Sequence, residues 1–114
     1  MTAKLSVNQL VFIVVLERQA EGLMQALSQE RFYFTKIDSS GMVFQEATVT
    51  LLIGLDNTRL PALLAQVNEH CQPFQEYVPV QYNPPASFPP LPMIEARMGG
   101  ALVYVLDVER FDQI

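Results

Sequence analysis

The chain has 114 residues, 50% hydrophobic and 17% charged, with a net charge of −5 and one cysteine, Cys71. This describes a single domain, 1–114, too apolar for a disordered tail. Its seven scattered Lys and Arg residues cannot neutralise a phosphate backbone, which excludes nucleic acid as a partner, and the single thiol excludes an intramolecular disulfide or a cysteine metal cluster.

Residues 1–8 are of mixed polarity and read as a flexible N-terminus. The run 10–16, Leu-Val-Phe-Ile-Val-Val-Leu, is β-branched and apolar and predicts a buried strand. It is too short to cross a bilayer. Only Lys4 precedes it and no small-residue cleavage site follows, so neither a membrane span nor a signal peptide is expected, and the expected location is cytoplasmic. Ala20, Leu23, Met24 and Leu27 recur at helical spacing and predict a helix over 19–30, weakened by Gly22. A second strand covers 32–38, with Ser39-Ser40-Gly41 as the turn after it. Residues 43–53 alternate in polarity and predict a long third strand, hairpin-paired with the second.

Asp56, Asn57 and Thr58 supply a helix cap, and Pro61 falls in the first turn, where its missing N–H costs nothing. Leu60, Leu63, Leu64 and Val67 predict a second amphipathic helix ending near Cys71. Residues 73–92 hold seven of the eight prolines, with Phe74, Tyr77, Tyr82 and Phe88 interleaved. Proline removes ladder donors, so 72–94 reads as a long Pro-rich loop, packed or floppy. The chain resumes at 94–98, steps through Gly99-Gly100 and closes with a strand over 101–106. The order predicts an α+β, ferredoxin-like βαββαβ fold: an antiparallel sheet, two helices on one face and a long loop after the second helix.

No catalytic constellation is visible. His70 and Cys71 are adjacent, and neighbouring residues on a helix point apart, so a helix-terminal histidine is the better reading than a nucleophile pair. Neither GxGxxG nor GxxxxGK[ST] occurs, and Glu17, Glu21, Glu30, Asp38, Glu46 and Asp56 read as solvated surface charge. An enzyme is therefore not expected. The segment around the expected turn remains. Thr35, Ser39 and Ser40 bring hydroxyls and Gly41 permits close backbone approach. Such a turn suits a phosphate or a nucleobase, and it equally suits a plain hairpin.

Phe32, Thr35-Lys36, Ser39-Ser40-Gly41, Gly54 and the closing run 99–106 through Phe111, in this order, resemble the PII-like cyclic di-AMP receptors of bacteria over residues 9–114. The resemblance implies a homotrimer of ferredoxin-like subunits, with a short loop between strands two and three and a long loop after the second helix. It implies a nucleotide, cyclic di-AMP in the family, bound between subunits near Tyr33, Thr35, Gly41, Phe44, Thr48 and Gly54. Thr35 and Gly54 match the family's pattern. An arginine of the pattern is Tyr33 here, an asparagine is Thr48, a second asparagine is Arg31, and Gly-Phe-Leu reads Met42-Val43-Phe44. An asparagine offers a paired donor and acceptor that a threonine hydroxyl cannot reproduce, so weaker binding of cyclic di-AMP is expected. The resulting function is signal transduction, in which a nucleotide-type ligand reorders the loop 72–94 and the loop meets a protein partner. The alternative is a structural or interaction trimer that has lost nucleotide binding or takes another small ligand. No cofactor and no membrane partner are implied.

Overall fold

A computed structural model describes residues 6–43, 46–79 and 93–114, and side chains within 6–37, 47–76 and 97–114. The apolar run near the N-terminus becomes β1 (Gln9–Leu16), at the centre of a four-stranded sheet. The other strands are β2 (Phe34–Val43), β3 (Glu46–Leu55) and β6 (Ala101–Asp107). Their order is β2-β3-β1-β6 and every pairing is antiparallel. Helices α1 (Glu17–Gln29) and α2 (Leu60–His70) close one face. This is the ferredoxin-like arrangement that the sequence predicts.

Strand alternation decides which side chains the helices cover. Val11, Ile13, Val15, Val49, Leu51, Ile53 and Leu55 point to the helix side and are buried against Ala20, Leu23, Leu27, Leu63 and Val67. Of the terminus expected to be flexible, residues 6–8 are tethered. The Asn8 N–H donates to the Leu55 carbonyl at 3.0 Å, and the Val108 N–H donates to the Asn8 carbonyl at 2.9 Å. Residues 1–5 lie outside the described residues.

Helix α1 starts two residues before the expected position, directly from β1 without a side-chain cap. Its end is closed by hydrogen bonds from Arg31 N to Ser28 O, 3.1 Å, and from Phe32 N to Leu27 O, 2.8 Å. That is a Schellman closure, and it requires Arg31 at φ 60°. The Arg59 guanidinium lies 4.0 Å from the centre of the Phe32 ring. It also donates to the carbonyls of Glu30 at 2.7 Å and Arg31 at 3.2 Å. At the start of α2 the Asp56 carboxylate accepts from Thr58 N at 3.0 Å, across the 3-10 turn Asn57–Arg59. Pro61 sits in the first turn of the helix, as expected.

Two expectations are corrected. Ser39-Ser40-Gly41 is not a turn; it lies within β2. Asp38 pairs with Val49 and Met42 with Ala47, so these three residues stand opposite the single Thr48. A bulge absorbs the extra residues and the strand continues. Secondly, part of the Pro-rich segment is strand. β4 (Phe74–Pro79) pairs antiparallel with β5 (Met93–Met98) as a separate two-stranded ribbon. Pro73 and Pro79 fall just before and at the end of β4. A ribbon has two free edges, where a missing donor is tolerated. Residues 80–92 of the expected loop lie outside the described residues.

Contacts at its base join the ribbon to α1. Arg18 stacks 4.5 Å from the centre of the Phe74 ring and pairs with Glu76, and the Gln19 amide donates to the Gln72 carbonyl at 2.9 Å. Gly99 and Gly100, at φ 80° and 78°, carry the chain from β5 into β6. A Cβ on Gly99 would sit 2.9 Å from the Phe74 ring and from Gln19 Oε1. The Gly-Gly step therefore combines a left-handed backbone with a close approach.

Candidate functional site

Beyond the open face, the sheet carries a cavity at each end, and these two cavities divide the residues that the sequence singles out. One cleft, of about 380 Å³, brings together Tyr33, Thr35 and Gly54, lined also by Leu10, Leu52 and Phe111. The other, of about 260 Å³, is lined by Thr48, Leu16, Arg97 and the Gly99-Gly100 step. Gly41 belongs to the bulge opposite Thr48. Phe44 lies outside the described residues. Thr48 and Gly54 are six residues apart on β3, roughly 20 Å at strand spacing. The structure thus groups Tyr33, Thr35 and Gly54, and separates them from Gly41 and Thr48.

Alternation builds the first cleft. Thr35 pairs with Leu52, and Leu10 pairs with Gly54 and Leu106. All of these point away from the helices, as the burial of Ile53 and Val11 on the other face requires. Tyr33 precedes β2 just beyond the Schellman closure and is 68% exposed. Gly54 allows the N-terminal segment to pack across β3: a Cβ there would lie 3.2 Å from a methyl of Val7. Val108 and Phe111, past the end of β6, close the far wall. Among the residues lining this cleft, none is charged.

Sequence reasoning misses Val7, Leu10, Val108 and Phe111. Val7 lies in a segment read as loose, and the contribution of the tail depends on the β1–β6 pairing, a long-range contact. Phe111 does leave a signal, as a lone aromatic in a charged tail.

The departing arginine at position 31 has a structural reading. Its left-handed φ of 60° is a conformation that asparagine enters more readily than most residues. An asparagine there would serve the helix closure directly. The His70–Cys71 pair has no nucleophile chemistry to offer. Cys71 is buried, and burial pushes its thiol up to about 11, so the sulfur stays protonated at neutral pH. His70 lies beside Gly22 in a polar groove between the helices, with Gln25, Gln66 and Glu69. Among the described residues, no group of three or more His, Cys, Asp or Glu side chains is placed to hold a metal ion. No helix among them is long and apolar enough to cross a membrane.

The fold has a solved counterpart. A protein of unknown function from Pediococcus pentosaceus superposes with a TM-score of 0.71 at 24% identity, over 95% of this chain and 98% of that one. At that identity the likeness speaks for the fold. The sequence carries the family: the pattern of the cyclic-di-AMP receptors matches residues 8–114, from the tether ahead of β1 to the C-terminal residue. With the match running through both cavities and the closing tail, this chain belongs to the cyclic-di-AMP receptor family.

Proposed function

We propose that this protein is a PII-like signalling subunit that binds a nucleotide-type ligand in the cleft at Tyr33, Thr35 and Gly54. The observation that carries the reading is the convergence of these three residues, drawn from a helix exit and two strands, in one cleft. The Thr35 hydroxyl is the hydrogen-bonding group at its wall, and Tyr33 offers a ring face for a base.

The subunit assembles as a homotrimer through the open face of the sheet. Leu102, Tyr104 and Leu106 of β6 are exposed there beside Leu10, Phe12 and Val14 of β1. A contiguous apolar face of this kind marks an interaction surface. Gly41 and Thr48 reach a shared ligand from a second copy, because about 20 Å of β3 separates Thr48 from Gly54 within one chain. Ligand occupancy reorders the Pro-rich segment 72–94, whose ribbon is joined to α1 at Arg18 and Gln19. That segment meets the protein partner.

Calorimetric titration with cyclic di-AMP, ATP and ADP tests the reading. Saturable heat that Thr35→Ala weakens by about 1–2 kcal/mol, as expected for an unpaired partner, supports it. Absence of heat with every nucleotide removes it. That outcome favours the second reading, an interaction trimer, for which the exposed apolar sheet face is the specific observation.

A further inference from the structure

We propose that the polar groove between α1 and α2 is a docking site for an extended, arginine- or lysine-bearing segment of a protein partner. The groove belongs to the helix layer and shares no lining residue with either cavity of the sheet. It stands independently of the nucleotide cleft.

Two facing stripes build the groove. Gly22, Gln25, Ala26 and Gln29 recur at helical spacing along α1, and Gln66, Glu69 and His70 face them from α2. With Glu30 they enclose about 400 Å³. From Gly22 to Glu30 the helix rises about 12 Å, room for about four residues of extended chain. A glutamine side chain carries both a donor and an acceptor, the pair that a peptide unit also presents. Gln25, Gln29 and Gln66 are therefore matched to a main chain laid along the groove. Among the described residues, no hydrogen bond engages the side chains of these three glutamines. Gly22 is a separate observation. Glycine inside a helix is unfavourable, and packing does not demand it here: a Cβ would meet His70 Nδ1 at 3.6 Å, an ordinary contact. The missing side chain leaves open depth at the His70 end of the groove.

Charge selects the partner. Glu30 and Glu69 line the groove, Glu21 lines the adjoining hollow with Gln25 and Gln29, and no Lys or Arg lines either. Arg59 is held over Phe32 and by the carbonyls at the end of α1, and Arg18 is held by Phe74 and Glu76. Lys36 stands on β2, Arg97 on β5 and Arg110 in the tail; Lys4 lies outside the described residues. Arg31 is exposed directly after Glu30 at the exit of α1, so that end of the groove carries both signs. His70 neighbours Gly22, which puts Glu69 at the opposite end. A guanidinium or ammonium entering there meets the Glu69 carboxylate. With a net charge of −5 on the chain, complementarity favours a basic segment.

The test is amide-resolved NMR titration of the full-length, isotopically labelled protein. The probes are a blocked hexapeptide alternating alanine with arginine, its counterpart alternating alanine with glutamate, and a blocked single arginine. Saturable shifts confined to α1 and α2 are expected with the arginine hexapeptide, and none with the glutamate one. Gln25→Ala, at an exposed position, should weaken the arginine hexapeptide by about fivefold, the scale of one net hydrogen bond. Glu69→Gln should weaken it by about threefold, the scale of an exposed ion pair, and Glu30→Gln by less. Added salt should erase that difference. Gly22→Ala should raise the thermal midpoint, because alanine favours the helix, while it weakens the peptide. No binding of the arginine hexapeptide overturns the proposal, as does an equal response to the glutamate one or a spread of shifts over the whole surface. Blocked arginine that binds as tightly as the hexapeptide also overturns it, by leaving the glutamines no main chain to read. So does a lower midpoint for Gly22→Ala, which would make the glycine a packing requirement. Thr35→Ala lies outside the groove and should leave the peptide affinity unchanged, so failure of nucleotide binding and failure of this proposal are read separately.

Discussion

The same strands present two apolar faces with different fates. Toward the helices, Val11, Ile13, Leu51 and Ile53 are 0% exposed. One residue along, on the opposite face, Leu102 is 59% exposed, Tyr104 54% and Leu106 47%. A sheet with one covered face ordinarily alternates apolar with polar residues. Here β1 and β6 are apolar on both sides, while β3 adds Thr48 and Thr50 to the open face beside Leu52. The first face determines how one chain folds. The second is surplus to that task, and its apolar area is available for association.

A substitution on each face separates the two roles. Leu51→Ala removes a side chain at full burial beneath both helices. Such truncations cost about 2–5 kcal/mol, the transfer of the lost methyls plus the cavity left behind. Denaturant unfolding should register the loss, and a cost below about 1 kcal/mol would mean that the helices do not close on this face as described. Tyr104→Glu lies across from Phe12 on the open face. It should shift the folding free energy of a single chain by no more than about 0.5 kcal/mol, as is usual for exposed sites. It should nonetheless break the assembly, because a carboxylate is costly to bury in an apolar interface. Light scattering should return a trimer mass for the native chain and a monomer mass for the variant. Equal masses would show that this face does not hold copies together.

Both faces were legible in the sequence to different depths. The covered face follows from local patterns: the continuous apolar run 10–16, a period of 2 in residues 43–53, and a period of 3.6 in the helices. Burial and alternation act within each element, so the βαββαβ order of the main sheet and its two-helix layer follow from them. The bulge did not. Ser39-Ser40-Gly41 carries turn chemistry, and only its pairing with β3, a partner segment, decides that the strand runs on. Proline density obscured β4 for a similar reason, since the cost of a missing donor depends on whether the edge is paired. Of the residues lining the candidate cleft, the sequence singles out Tyr33, Thr35 and Gly54, while Val7 and Val108 arrive there through strand pairing and chain termini that no local pattern encodes.

The end of α1 sharpens the account of the covered face, because the helix buries Leu27 only if its last turn closes. Arg31 holds that closure at φ 60°, a conformation that costs an L residue with a Cβ roughly 1–2 kcal/mol. Arg31→Gly relieves the cost and keeps the backbone bonds to Ser28 and Leu27. Part of the gain returns as chain entropy in the unfolded state, so a net stabilisation of about 1 kcal/mol is expected. A higher thermal midpoint with the nucleotide affinity unchanged would assign position 31 to the fold. Loss of ligand binding with no gain in midpoint would assign it to the site.

The start of α2 gives the smallest effect, and one set by pH. Asp56 accepts hydrogen bonds from the Thr58 backbone N–H at 3.0 Å, the Thr58 hydroxyl at 2.8 Å and the Ser6 hydroxyl at 3.1 Å. These bonds favour the carboxylate, the backbone one most, and lower its pKa below the ordinary aspartate value. A carboxyl whose folded pKa is depressed contributes stability above its unfolded pKa and loses it as pH falls through the folded one. Asparagine caps about as well as aspartate, so Asp56→Asn keeps the bond to Thr58 and removes the charge. Unfolding curves of the two proteins should therefore lie apart at neutral pH, with the native chain the more stable. They should converge as acid protonates Asp56. A gap that persists below the ordinary carboxylate range, undiminished, would mean that the carboxylate's charge has no part in holding the N-terminal segment and α2 together.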